Sequence, residues 1–308
     1  MVSLEISVAA LPLTGRKSPL VKTGVMMKPA SRHPNQAVGR RAVGFAFGLA
    51  ILVTCPRPAT AQVFGFPNDP GPDRWRSVLT PYFWAVNQTG TTTYGPFETS
   101  NDIGFGDIWS NLKFGGSIHY VGSKGAWGVA LDAAYLHTEE TDIPIREFGR
   151  ADTLSGSYNS KNFQAEAAAT YGPFELPNQT FAFLAGFRFT SQSTDLTFSL
   201  QTPPVSAARD FSHSWLDPII GARWGLGFGK DKRWQAGARA DIGGFGIGSQ
   251  FAFNSVAGIG FRLIRLLSID AGFRYLYMDY ESGTRGTLSY YEEKTDQFGI
   301  LFGLGFWF

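Results

Sequence analysis

The sequence predicts an all-β chain that folds as a transmembrane antiparallel up-and-down β-barrel of about ten strands. Three observations predict it. Large apolar residues alternate with small or polar residues along most of residues 76–308, an apolar run near the start precedes a small-residue cleavage site, and the sequence ends on "FGLGFWF". A period of two is typical of strands whose two faces meet different surroundings.

Residues 1–61 are predicted to be a cleavable signal peptide. Arg40 and Arg41 precede an apolar run over 42–55, and "ATAQ" offers a small-x-small site that places the cut after Ala61. The stretch before Arg40 is over-long for such a signal, so a start near Met26 fits the usual distance better. A twin-arginine signal is the alternative, and a plain positive segment is favoured because membrane barrels are exported unfolded.

Removal of this segment changes the charge of the chain. Residues 1–61 hold 8 of the 27 basic and 1 of the 25 acidic residues, which leaves 19 against 24 and a net charge of about −5. The apparent basicity belongs to the signal, so nucleic acid is not a predicted partner. The one cysteine, Cys55, leaves with the signal, and a lipid anchor on it is disfavoured by the preceding Thr54. Residues 62–75, rich in Pro, Gly and Asp, are predicted to be a periplasmic linker.

The barrel itself is predicted for residues 76–308. The small or polar faces of its strands carry Gly, Ala and isolated charges, whereas a soluble sandwich would show Lys, Glu and Thr there. The runs reach the length that crosses a bilayer at a tilt, with aromatic residues near both ends. No window of eighteen unbroken apolar residues predicts a spanning helix. Lipid cannot satisfy a free sheet edge, so the sheet must close.

Turn signals divide this region into ten strands joined by alternating short and long links. Eight or twelve strands remain alternatives because "TTTYGPFETS" (91–100) could extend the first strand or form a hairpin of its own. The predicted strands are 76–90, 112–122, 125–138, 158–172, 179–191, 213–229, 232–245, 249–264, 266–281 and 294–308.

Several sequence blocks, in order, resemble a family of outer-membrane β-barrel proteins of Gram-negative bacteria that carries no settled molecular function. They are "LTPYFWA", "DIWSNLKFGG", "GAWGVALDAAYL", "WLDPIIGARW", "RADIGGFGIGSQ" and "AGFRYLYMDY". The "RADIGGFGIGS" block is the most specific, with Ala240 where that family has Gly. The resemblance implies an outer-membrane location, contact with its lipid, and little about activity.

The last residues also resemble the signal read by the barrel assembly machinery, which is therefore an expected partner during biogenesis. The residues that carry this resemblance are Phe302, Leu304, Phe306 and Phe308.

Ten charged residues are predicted to point into the lumen if the apolar face meets lipid. They are Lys113, Asp132, Glu166, Arg188, Asp217, Arg223, Arg239, Asp241, Asp270 and Arg274. Their signs balance, and a ten-stranded barrel has a backbone radius on the order of 10 Å. This predicts pairing within a largely filled lumen. A selective pore would favour an excess of one sign on a wider wall.

Three functions follow as expectations. A structural or surface-interaction barrel is favoured, with an unidentified surface partner for which Tyr290, Tyr291, Glu292 and Glu293 are the candidate loop residues. The alternative is a narrow, porin-like passive channel for small solutes. A lipid-modifying hydrolase built on Ser117 and His119 is the remote alternative, because spacing marks no third, orienting residue.

The chain is therefore not expected to be an enzyme, and neither a cofactor nor a metal is expected. His137 and His213 fall at strand ends and show no metal-ligand spacing. Residues 104–112 are predicted to be either a short helix, capped at Asp107 and folded into the barrel mouth, or a plain surface turn. The glycines of "DIGGFGIGS" (241–249) are predicted to serve a tight turn rather than a phosphate loop, since no helix follows.

Overall fold

The computed structural model describes residues 75–95, 97–144, 154–174, 178–200, 205–287 and 289–308. The predicted signal peptide and nearly all of the predicted linker lie outside these ranges. Within them the chain is built almost entirely of strands. The elements are β1 Arg76–Tyr94, β2 Phe97–Ile103, α1 Phe105–Ser110, β3 Leu112–Lys124, β4 Trp127–Pro144, β5 Leu154–Tyr171, β6 Gln179–Leu200, β7 Val205–Phe228, a 3-10 turn Lys230–Lys232, β8 Trp234–Gly243, β9 Phe251–Ile264, β10 Leu267–Ser282 and β11 Tyr291–Trp307.

The sheet closes on itself. From β3 to β11 each strand pairs antiparallel with the next, and β1 pairs with β11 from Val78–Trp307 to Tyr94–Tyr291. On its other side β1 pairs with β3 over residues 76–82 and with β2 over residues 88–94. β2 and β3 therefore occupy one position in the wall, and the ring has ten positions, which confirms the predicted barrel. The segment 91–100 both lengthens β1 and begins β2.

The two faces of the wall are opposite in character. Phe187 and Phe302 on the outer face are each 55% exposed, whereas Arg188 and Asp217 on the inner face are 0% exposed. A soluble protein buries its apolar side chains and exposes its charges. The inversion, with closure of the sheet, is the signature of a barrel whose outside solvent is lipid. No helix in the described ranges is long and apolar enough to cross a membrane.

Aromatic pairs mark both ends of the apolar band. At the end near the short links, Trp127 lies on Tyr171 with ring centroids 4.6 Å apart. Towards the long strand ends, Phe114 lies 5.9 Å from Tyr135. Such girdles place amphipathic rings at the two membrane interfaces, so the band between them spans the hydrocarbon.

Several strands are longer than the sequence predicts. β6 and β7 pair as far as Leu200–Val205, and β4 and β5 as far as Pro144–Ser155. The sequence predicts loops at the polar ends of these strands, because the alternation of large apolar residues at every second position stops there. Above the membrane both faces of a strand meet water, so the ladder continues without that alternation. β8 and β9 instead end early, at a turn in which Gly244, Phe245 and Gly246 have positive φ.

Candidate functional site: the charged lumen

Four charged side chains form a closed ring across the middle of the lumen. Arg188 Nη2 donates to Glu166 Oε2 at 3.0 Å and also pairs with Asp241. Arg239 Nη2 lies 2.8 Å from Asp241 Oδ2 and pairs with Glu166. Each charge thus has two neighbours of the opposite sign. The most exposed of the four side chains, Arg239, is 10% exposed.

Register explains how the ring forms. Glu166 and Arg188 are direct partners on β5 and β6, and Arg239 and Asp241 share the inner face of β8. β7 lies between these two halves. It carries Gly221 opposite Asp241, where an added Cβ would lie 2.6 Å from the Asp241 Cβ. Glycine at this position therefore allows the close approach of β7 to the backbone of β8 at Asp241.

A second cluster lies beside the ring on β1, β3, β4 and β10. Tyr82 Oη donates to Asp132 Oδ1 at 3.0 Å, and His119 Nδ1 lies 3.0 Å from Asp132 Oδ2. Arg274 Nη1 donates to Tyr82 Oη at 3.3 Å. Asn254 connects the two groups, because its Nδ2 donates to Asp241 Oδ2 at 2.7 Å and its Oδ1 accepts from Arg274 Nε at 3.0 Å. The charges are joined in one continuous network.

Asp217 has a different role from the other predicted lumenal acids. Its Oδ1 accepts the Ser249 backbone N–H at 2.6 Å, and its Oδ2 accepts Trp215 Nε1 at 3.2 Å. An added Cβ at Gly248 would lie 2.5 Å from Asp217 Oδ1. The carboxylate therefore fastens the 244–250 turn against β7, and the glycines of this block serve a tight turn.

The remaining predicted lumenal residues divide. Arg223 lines a central cavity, and Asp270, which is 2% exposed, accepts from Ser268 Oγ at 3.4 Å nearer the short links. Lys113 departs from the prediction: its side chain is 53% exposed, and its Nζ lies 3.6 Å from Glu139 Oε2 outside the lumen. The register of β3 shifts between Leu112 and Phe114, so the inward alternation does not extend to Lys113.

The central cavity has a volume of about 50 Å³. This is room for only a few water molecules, since each needs roughly 10–15 Å³ of such volume. Apolar and charged side chains line it together, which leaves the lumen largely filled at this depth. The lining includes Tyr82, His119, Asp132, Leu184, Arg223, Arg239, Asn254, Val256, Arg274 and Leu301.

Aromatic side chains fill the lumen towards the long strand ends. Trp215 stacks on Tyr280 with centroids 4.0 Å apart, and His213 stacks on Tyr291 at 3.8 Å. Tyr291 Oη donates to Glu293 Oε2 at 2.7 Å, and both residues are less than 5% exposed. This corrects the expectation of exposed loop residues here: Tyr291 and Glu293 are buried strand residues, and Tyr290 is 5% exposed. His213 is half-buried against Tyr291.

Helix α1 is present, but it does not fold into the mouth. Phe105 and Trp109 pack on Phe83, with centroids 6.0 and 5.7 Å away, and Phe83 belongs to the outer face of β1. Gly104 is the N-cap, and Asp107 Oδ2 accepts the Gly104 N–H at 3.3 Å. The helix therefore covers the wall from outside.

The polar groups that sequence reasoning left out of the network are mostly uncharged. Tyr82, Gln164 and Asn254 have the same inward alternation as the predicted charges, so that alternation was the available signal. His119 was expected inward beside Ser117. The structure adds Asp132 on its Nδ1 at 3.0 Å. In the described part of the chain no three His, Cys, Asp or Glu side chains are grouped to hold a metal ion.

No protein-family model and no curated protein sequence matches the chain. Among solved structures it is similar to the outer membrane protease OmpT of Escherichia coli, at 7% identity and a TM-score of 0.39, over 77% of this chain and 98% of OmpT. It is also similar to Ail of Yersinia pestis, at 13% identity and a TM-score of 0.26, over 76% of this chain and 98% of Ail. It is similar as well to the toluene transporter TodX of Pseudomonas putida, at 9% identity and a TM-score of 0.32, over 77% of this chain and 91% of TodX. These identities assign no role to any residue.

Proposed function

We propose that the chain is a structural barrel of the outer membrane, exported with a cut after Ala61, that presents its long strand ends to a surface partner. The observation that carries the proposal is the closed ring of Glu166, Arg188, Arg239 and Asp241 across the lumen. In a pore, lumenal charges would be available to passing ions, whereas in this barrel the four charges pair with one another.

Two further layers support a closed lumen. The aromatic side chains of Trp215, Tyr280 and Tyr291 fill the lumen on one side of the four paired charges, and each of these residues is less than 10% exposed. On the other side Gln235 and Ser268 are 0% exposed. Buried ion pairs of this kind fix one arrangement of the strands, because removal of either partner leaves an uncompensated charge.

The last strand is proposed to be the part read by the barrel assembly machinery during biogenesis. Phe302, Leu304, Phe306 and Phe308 all lie on the outer face of the barrel wall, with exposures from 44% to 71%. They form an apolar row at the edge that must pair with β1 for closure. A machinery that acts from the membrane can reach these side chains before closure is complete.

A narrow passive channel is the second candidate function. The observation in its favour is the cavity of about 50 Å³ beside Arg223, Arg239 and Arg274, which offers water-sized space in the middle of the barrel. The filled layers on either side of it favour the scaffold. No catalysis is assigned to His119 and Asp132, since the pair faces the lumen rather than lipid.

Single-channel conductance separates the two functions. The mature chain, refolded and shown to be folded by its heat-modifiable gel mobility, is placed in a planar bilayer and compared with a variant that combines Arg239→Gln and Arg274→Gln. The scaffold predicts silence from the parent. Steady parent openings whose ion selectivity shifts in the variant would replace the scaffold by the channel. Lys113→Gln removes a cation outside the lumen and is the matched control.

A further inference from the structure

The barrel wall is interrupted between β1 and β3. Their pairing ends at Tyr82–Ser117, and the pairing of β1 with β2 begins only at Gln88–Ile103. Over residues 83–87, β1 is paired with β11 on one side. On the other side the chain leaves the wall at 104 as α1 and returns at Leu112, where β3 pairs with β4 alone; β3 pairs with β1 only from Ser117 onward.

The interruption lies within the apolar band. Phe83 and Ala85 pair with Phe302 and Ile300, whose outward side chains are about half exposed to the lipid side. Irregular backbone at hydrocarbon depth is tolerated only where protein covers it or where it lines a water-filled cavity. The structure provides protein cover outside the interruption and a small cavity inside it.

Helix α1 is the outer cover. It rests on β1 through the rings of Phe105 and Trp109 and through the Phe105 N–H, which donates to Asn87 Oδ1 at 2.9 Å. Its far end is tied to β4, because Asn111 Nδ2 donates to Glu140 Oε2 at 3.1 Å and the Asn111 carbonyl accepts the Glu139 N–H. A helix of six residues has little stability of its own. The helix itself rests on β1, and the residue that follows it, Asn111, is tied to β4.

The central cavity lies directly inside the interruption. Trp84 points inward there, with the Arg274 guanidinium 4.7 Å from its ring centroid, and its buried Nε1 has no hydrogen-bond partner among the residues that the structure describes. Tyr82, the last residue paired with β3, and His119, two residues beyond Ser117, both line the central cavity. The cavity is thus adjacent to the interruption in the wall.

We propose that α1 is a lid on a lateral opening through which small amphipathic molecules of the outer leaflet reach the lumen. The class follows from the surroundings of the cavity: Leu184, Val256 and Leu301 offer apolar surface. The buried Trp84 Nε1 beside them offers a hydrogen bond to a single polar head. The volume of about 50 Å³ restricts the body to a few heavy atoms unless side chains move. This route goes beyond the proposed scaffold function, because it runs sideways and leaves the axial layers closed. Silence in the conductance experiment is compatible with it.

A single lumenal cysteine tests the opening, since the chain has no cysteine after residue 55. Ser117→Cys is placed at the edge of the interruption, and Thr190→Cys is its matched control on the same rung in the uninterrupted wall. Folded protein in lipid vesicles is treated with N-(1-pyrenyl)maleimide, a flat apolar reagent that partitions into the bilayer. The lid predicts several-fold faster labelling of the Ser117→Cys variant than of the Thr190→Cys variant.

Removal of the cover is the second measurement. Phe105→Ala with Trp109→Ala, added to Ser117→Cys, should increase its labelling rate, whereas Phe187→Ala, which removes a lipid-facing ring elsewhere, should not. Equal rates for the two cysteine variants, with and without the lid substitutions, would overturn the proposal. Faster labelling of the Ser117→Cys variant by a charged, water-confined maleimide than by the pyrenyl reagent would also overturn it, because the route would then be the mouth. Heat-modifiable mobility of each variant shows that the barrel is folded.

Discussion

Arg188 on β6 reaches past the intervening strand β7 to pair with Asp241 on β8, and neither side chain is exposed. Glu166 pairs with Arg188 on the neighbouring strand, and Arg239 pairs with Asp241 on the same strand. The Arg188–Asp241 contact, together with that of Arg239 with Glu166, joins these two pairs into a ring that spans β5 to β8. A substitution at one member consequently affects partners on other strands.

Arg188→Met should destabilise the barrel strongly. It leaves Glu166 and Asp241 with one cation, Arg239, between them, and breaking a buried pair costs about 3–5 kcal/mol. Urea unfolding of the refolded chain, followed by heat-modifiable mobility, measures the loss. Lys113→Met removes an exposed cation and should change the unfolding free energy by less than about 1 kcal/mol. Equal effects of the two substitutions would contradict the ring.

Gly248→Ala should loosen the turn between β8 and β9. The added methyl would lie 2.5 Å from Asp217 Oδ1 and from the Leu216 carbonyl oxygen, so the bond from Ser249 N–H must break or the turn must move. Gly246→Ala is the control in the same turn. Its φ is +73°, but its nearest contact is 3.8 Å away, so only backbone strain of about 1–2 kcal/mol is expected.

Limited proteolysis at residues 244–250 and urea unfolding together check this prediction. The Gly248 variant should be cleaved faster and should unfold at lower urea than the Gly246 variant. If the Gly246 variant is the less stable of the two, Asp217 does not fasten the turn.

Phe273→Lys should be costly because the side chain points into lipid. Its ring is 49% exposed on the outer face of β10, and a Lys near the bilayer midplane costs roughly 2–4 kcal/mol. Refolding into vesicles at a series of urea concentrations gives the free energy. Phe273→Leu keeps the site apolar and serves as the control, and a Lys variant as stable as the Leu variant would reverse the assignment of the two faces.

Phe308→Ser should reduce the amount of folded barrel that reaches the membrane in cells. Phe308 is 71% exposed at the end of the apolar row on β11, which is the row proposed to be read during assembly. Phe174→Ser removes another exposed aromatic ring, 55% exposed, in the link between β5 and β6. Normal levels of heat-modifiable barrel for the Phe308 variant would remove the assembly role from this residue.

The alternation of residues was sufficient for the wall and for the inward direction of most charges. Glu166, Arg188, Arg239 and Asp241 lie on the face that the period of two indicates. Which of them meet was not readable, because Arg188 and Asp241 lie on β6 and β8 and their contact crosses the strand between them. Sequence spacing gives the side of a strand, but pairing across a curved wall depends on strand tilt and on vacant volume.

Local irregularities of the strands explain where the structure differs from the sequence prediction. Lys113 follows a register shift in β3, and α1 interrupts the β1 side of the wall. A single residue added to a strand reverses its two faces beyond that point, and hydrophobic alternation carries no mark of it. The packing of the half-buried His213 on the buried Tyr291 depends on strands that continue above the membrane, where polar residues pair without alternation.

The joint between the first and last strands has a consequence for the rate of folding. Ser77 and Phe308 exchange two backbone hydrogen bonds, so the contact that closes the ring joins residues far apart in sequence. Contacts of this range are slow to form, because the loop-closure entropy is lost before the pairing is gained. Until they form, β1 and β11 each present an open edge to other chains. The lifetime of that open sheet therefore sets the interval in which the chain is most prone to aggregate.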